Sequence, residues 1–133
     1  RKFVPAKLSW RGDIDPKNPT QITWRGVDAH AGPARYRMAA IGDAAGQRVI
    51  FAGGGDNPYN YDGIGYDGVP AKPSGGFFAY DLKSDSWQEL GRLAEPSMDH
   101  RGLAKAGQDY YILGGMDEAQ KVTDRIVKFR ISN

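Results

Sequence analysis

Two groups of side chains in this sequence have the types and spacing to do chemistry. The first is the triplet Asp99-His100-Arg101, with a second triplet, Arg35-Tyr36-Arg37, earlier in the chain. A histidine beside a carboxylate invites acid–base work near neutral pH. Arginines add a planar fork of donors for anions and carbonyls. Sequence neighbours on a strand point to opposite faces, however, so adjacency alone does not make Asp99 and His100 a dyad. The second group is the stretch DNPYNYDGIGYDG, from Asp56 to Gly68. Its tyrosines, Tyr59, Tyr61 and Tyr66, alternate with Asp, Asn and Gly. That mixture suits stacking on a sugar ring or a peptide, with hydrogen bonds at the rim.

Other chemistries fit less well. Asp56, Asn60, Asp62 and Asp67 could be read as a calcium loop. The EF-hand spacing fails, because Pro58 takes the first ligand position when Asn60, Asp62 and Gly63 are aligned. No metal and no cofactor is therefore expected. The chain has no cysteine, which excludes disulfides, thiolate metal sites and a cysteine nucleophile. Lys and Arg number 18 against 16 acidic residues, without a clustered basic stripe, so no nucleic-acid partner is expected. No apolar run approaches the ~18 residues of a membrane span, so no membrane partner is expected either. No leader pattern opens the chain, and the absence of an initial Met predicts a processed or truncated N-terminus. The compartment stays open.

The elements that must position these residues read as strands. With 133 residues the chain is the size of one domain. It carries 18 Gly and 8 Pro alongside 7 Tyr, 5 Phe and 3 Trp, a turn-rich and aromatic-rich balance that favours an all-β fold. Short β-branched and aromatic runs occupy 48–52, 77–82 and 109–113, and 125–131 alternates apolar with charged residues. Turns are expected at 42–46, 83–86 and 94–97. The run from Met116 is too short and polar for a stable helix.

These runs repeat. The segment from Ala45 reads AGQRVIFAGG and the segment from Ala106 reads AGQDYYILGG, with five identities and no gap. Each is preceded by an Arg and small apolar residues, at Arg37 and at Arg101. A turn leading to a Trp also recurs, at Trp24 and at Trp87. The spacing implies a tandem four-strand unit.

The double glycines Gly53-Gly54 and Gly114-Gly115, the Tyr80-Asp81 pair, and Trp87 and Trp24 together resemble the kelch repeat of β-propellers. The resemblance runs from about Lys7 onward. It implies an all-β fold of kelch-type β-propeller blades, each a four-stranded antiparallel sheet, in a partial propeller of about 2–3 blades. Residues 7–27 read as the end of one blade. Residues 34–92 read as a complete blade with strands at 36–41, 48–52, 77–82 and 87–90 and an inserted loop at 55–75. Residues 100–131 read as a final blade without its outer strand. Propellers usually have 4–8 blades, so the chain is expected to be the C-terminal segment of a larger one. Its partner would be the remainder of the propeller, as an upstream segment or another chain.

Blade topology sorts the loops. One face gathers 28–35, 55–75, 94–100 and 116–123, and the other takes the short turns at 42–47 and 106–108. The start of each innermost strand borders the central opening, which makes Arg35, Tyr36, Asp99, His100 and Arg101 candidates for ligand binding together with Tyr59, Tyr61 and Tyr66. The resemblance also implies structural roles for Arg37 and Arg101 between blades. His30, in a Gly/Pro loop, is expected to be exposed. The favoured function is a binding module that recognises a protein or a glycan through the face carrying 55–75. The other reading is part of a sugar-processing enzyme, since the fold resembles the central domain of galactose oxidase and bacterial sialic-acid mutarotases. The galactose oxidase site, with copper, a Cys-crosslinked Tyr and two His, cannot be held whole by a segment with no Cys and two His.

Overall fold

The computed structural model describes residues 3–131. Nine strands form three antiparallel sheets, and the described residues contain no helix. The first sheet is a hairpin of β1 (Leu8–Ile14) and β2 (Ile22–Asp28). The second has the order β3 (Ala39–Asp43), β4 (Arg48–Ala52), β5 (Ser74–Asp81) and β6 (Ser86–Ser97). The third has β7 (Ala104–Ala106), β8 (Asp109–Leu113) and β9 (Ile126–Arg130). Consecutive strands pair throughout, as an up-and-down meander does.

Alternation along the strands builds the core. Ile50 and Ala52 on β4, Phe77 and Ala79 on β5, and Tyr110 and Ile112 on β8 face one another between the second and third sheets. Phe129 receives the tilted ring of Phe77 at 4.8 Å and the stacked ring of Tyr110 at 5.5 Å. A second cluster of Tyr59, Ala71, Met98 and Met116 lies beneath the insertion. On the opposite face of the second sheet, Phe51, Phe78 and Trp87 pack together. Trp87 donates from its indole nitrogen to the Asp28 carbonyl at 2.6 Å, which ties the second sheet to the hairpin.

Charged locks join the sheets at the short-turn face. Asp85 receives Arg11, Arg25 and the Tyr80 hydroxyl at 2.6–2.8 Å. Asp43, almost fully buried, receives Lys105 at 2.7 Å and Arg48 and Tyr110 at 3.0 Å. The arginines and the lysine hold both carboxyls down at about 2.

Several expected boundaries move. The strand expected from Tyr36 starts at Ala39, because Arg37 has φ 52°, outside the strand region. Tyr36 still makes a single bridge with Gly55. The strand expected over 77–82 starts earlier, at Ser74, and the turn expected at 94–97 is instead the end of β6. Ser74 pairs with Ser97 across register shifts that absorb Pro96, which is tolerated on an edge strand. His30 is half-buried rather than exposed, its ring stacked on Phe78 at 4.4 Å. Trp24 is exposed, with no sheet against its outer face among the described residues.

Candidate functional site

The residues singled out from the sequence gather on the loop face, but in three different environments. The insertion folds on itself through isolated bridges, Tyr59 to Gly65 and Ile64 to Pro70. Its carboxylates hold its turns. Asp56 accepts the Lys72 amide at 2.7 Å, Asp62 accepts that of Ile64 at 3.0 Å, and Asp67 accepts the Asn57 side chain and the Val69 amide. The Asn57 and Val69 bonds hold the Asp67 carboxyl below its usual range. These bonds account for the acidic spacing that resembled a calcium loop.

The first environment is a groove of about 790 Å³ between the insertion, the 34–36 segment and the N-terminal residues Phe3–Ala6. Arg35, Tyr36, Asp56, Asn57, Tyr66 and Asp67 line it. Tyr66 stacks on Phe3 with ring centroids 5.1 Å apart and keeps more than half its surface open. The internal bonds of Asp56 and Asp67 go to Oδ1, which leaves each Oδ2 without a partner among the described residues. Arg35 makes no ion pair among the described residues. Tyr61 is exposed but lies outside the groove.

The second environment lies beneath the groove. Arg37 donates to Asp99 at 2.7 Å and to the Asn60 carbonyl at 2.8 Å, so it links two adjacent sheets to the insertion. Its guanidinium lies 5.1 Å from the Tyr36 ring and 5.2 Å from the Tyr59 ring. Arg101 reaches the same Asp99 oxygen at 3.3 Å from an exposed position. Arg37 and Asp99 both hold left-handed backbone, at φ 52° and 62°, which costs non-glycine residues energy. Tyr59 is fully buried, its hydroxyl has no partner among the described residues, and burial pushes its pKa up to about 12. It therefore cannot offer a ring to a ligand as the sequence reading expected. It supports Tyr36, whose ring meets it edge-on at 5.2 Å.

The third environment encloses His100, which is 5% exposed. Its imidazole stands between the glycine pairs of neighbouring sheets. A Cβ on Gly53 would sit 3.3 Å from the ring, and one on Gly115 only 2.4 Å from it. Gly53, Gly54, Gly114 and Gly115 all have positive φ. The double glycines thus supply both a left-handed bend and room for this ring. Desolvation lowers the His100 pKa, and its Nε2 has no partner among the described residues. Asp99 bonds to arginines instead, so the Asp99–His100 dyad that the sequence invited is not formed. Sequence reasoning missed the N-terminal Phe3, since nothing in its local pattern marks a groove wall, and it weighed Asp56 and Asp67 as calcium ligands and not as groove residues.

No family model matches the chain, and no curated protein matches it. Among solved structures, that of YjhT matches with a TM-score of 0.66 at 15% identity, over 96% of this chain and 36% of that one. The chain therefore spans about a third of the length of that β-propeller. At this identity the likeness speaks for the fold alone. Antiparallel sheets in meander order, glycine pairs cradling a residue of the neighbouring sheet, and this likeness show an all-β fold of β-propeller blades, a partial propeller of about 2–3 blades related in fold to the kelch propellers.

Proposed function

We propose that this chain contributes the recognition surface of a kelch-type binding propeller, and that the groove beside the insertion takes a glycan. The observation that carries the reading is the composition of the groove wall. A half-exposed Tyr66 ring, two carboxylates with one oxygen each left without a partner among the described residues, and an Arg35 with no ion pair among them surround a volume of about 790 Å³. That volume lies in the range of small-ligand sites. A pyranose offers an apolar face to a ring and hydroxyls that donate to carboxylates and accept from a guanidinium. Asn57 fixes Asp67, so the acceptor is organised before a ligand arrives. Binding is favoured over catalysis, because Asp99 is tied to Arg37 and the Tyr59 hydroxyl and His100 are both enclosed.

Titration of the protein against a panel of neutral and charged oligosaccharides tests this. Tyr66→Ala and Asp67→Ala should each weaken the best binder by about 3- to 10-fold, the scale of one aromatic contact or hydrogen bond. Tyr61→Ala, outside the groove, should leave it unchanged. Equal effects of Tyr61 and Tyr66, binding of polypeptides but no sugar, or turnover of the sugar would each overturn the reading.

A further inference from the structure

The segment from His30 to Pro33 leads from the hairpin to the second sheet, and a pocket of about 240 Å³ lies against it. Its lining is of two kinds. Pro33, Phe78 and Trp87 make part of it apolar, and Arg35, Arg92 and Glu89 bring charge to it. Phe78 is fixed by the stacked rings of His30 at 4.4 Å and Phe51 at 6.0 Å, and Trp87 meets it edge-on at 5.7 Å. The apolar part is therefore organised before any ligand arrives.

Arg35 and Arg92 make no ion pair among the described residues, whereas every other arginine among them pairs with a carboxylate. The two exceptions line the same pocket. Both rest on neighbouring backbone. A Cβ on Gly54 would lie 3.3 Å from Arg35 Cβ, and one on Gly75 would lie 3.9 Å from Arg92 Nη2. The two stretches are joined by the Ser74 amide donating to the Gly54 carbonyl at 2.8 Å and the Gly53 amide donating to the Gly76 carbonyl at 3.1 Å. Guanidiniums stay charged at any ordinary pH, so two of them beside one small volume favour an anion there. Glu89 offsets one of these charges, and the remaining single positive charge suits a monoanion.

We propose that this pocket takes a small organic carboxylate, its carboxylate held by Arg35 and Arg92 and its apolar body against Pro33, Phe78 and Trp87. A guanidinium matches a carboxylate through paired, charge-assisted hydrogen bonds. An inorganic oxoanion would use the arginines alone, whereas an organic acid uses the arginines and the rings together. The pocket does not depend on what the groove binds. Arg35 lines both, but Arg92 lines only the pocket and Tyr66 only the groove.

Titration with sodium benzoate, followed through amide and indole NMR signals, tests this. Benzoate should bind in the millimolar range and shift the signals of Gly32, Gly76 and the Trp87 indole. Benzyl alcohol keeps the ring and inorganic phosphate keeps the charge, and each should bind at least about 10-fold more weakly. Arg92→Gln should weaken benzoate by about 10-fold or more, the scale of a hydrogen bond to a charged group. Glu89→Gln should strengthen it by about 3-fold, because a like charge is removed. Neither side chain is ion-paired among the described residues, so folding should survive, as circular dichroism would verify, and the two variants test the site in opposite directions. Tyr66→Ala should leave benzoate binding unchanged, whatever it does to a glycan. Absence of benzoate binding would overturn the proposal. So would phosphate binding as tightly as benzoate, Glu89→Gln weakening it, or shifts confined to the 55–75 insertion.

Discussion

Single residues in this protein are constrained most tightly where two sheets share one space. Gly115 has φ 108°, and a Cβ there would press on the His100 ring. Gly115→Ala should destabilise by roughly 2–4 kcal/mol, seen as a lower midpoint in urea unfolding, because strain and a steric clash act together. Tyr59 gives the opposite expectation. Its hydroxyl is buried without a partner among the described residues, and such a group costs about 1–3 kcal/mol. Tyr59→Phe should raise stability by about 1 kcal/mol in the same experiment. His100 makes stability depend on pH. Its folded pKa lies below the ordinary 6.5. Below pH 6.5 the unfolded chain binds a proton that the folded chain refuses, so stability is full above that pH and declines as pH falls. His100→Gln should flatten this part of the profile.

At the scale of elements, the sheets are coupled by apolar contact in the middle and by carboxylates at the short-turn face. Phe77 packs on Phe129 of the third sheet. Phe77→Ala should cost about 3–5 kcal/mol, the range for emptying an aromatic core site. Asp43 reaches across the same pair of sheets to Lys105 and Tyr110. Asp43→Asn removes a buried charge from opposite two cations and should cost about 3 kcal/mol. Its carboxyl titrates at about 2 in the folded protein against 3.8 unpaired. This stabilisation is therefore complete above pH 3.8 and is lost as pH falls toward 2. The wild-type acid profile should show this lower step, and Asp43→Asn should show it reduced, since Asp85 titrates in the same range. Asp85 is the counterpart for the hairpin, but it lies at the surface. Asp85→Ala should speed hydrogen exchange in β1 and β2 with little change in the third sheet, and added salt should mimic it in the wild type.

For the whole molecule, a sheet face is stable only when another sheet covers it. Two such junctions exist within the described residues, and both are filled by aromatic side chains. The faces at the two ends are open, and the end that carries Trp10 and Trp24 is the more apolar.

Local sequence carried much of the fold. The repeated segments from Ala45 and Ala106 marked β4 and β8, because a short turn, an apolar run and a glycine pair are all local signals. It also marked the insertion as the unusual loop. It misplaced the start of β3, since a left-handed Arg37 is imposed by its bonds to Asp99 and Asn60, which lie 62 and 23 residues away. It read Tyr59, Tyr61 and Tyr66 as equivalent, because the three have the same chemistry and similar neighbours. Only the folded insertion separates a buried support, an outlying ring and a groove wall. It likewise paired Asp99 with His100 by adjacency, where the fold sends one to arginines and the other between glycines. Strand pattern and turn chemistry are written along the chain, but burial and charge pairing depend on contacts between distant residues. The sequence by itself therefore determined the blades and their repeat, and the tertiary structure alone decided which of their side chains face a ligand.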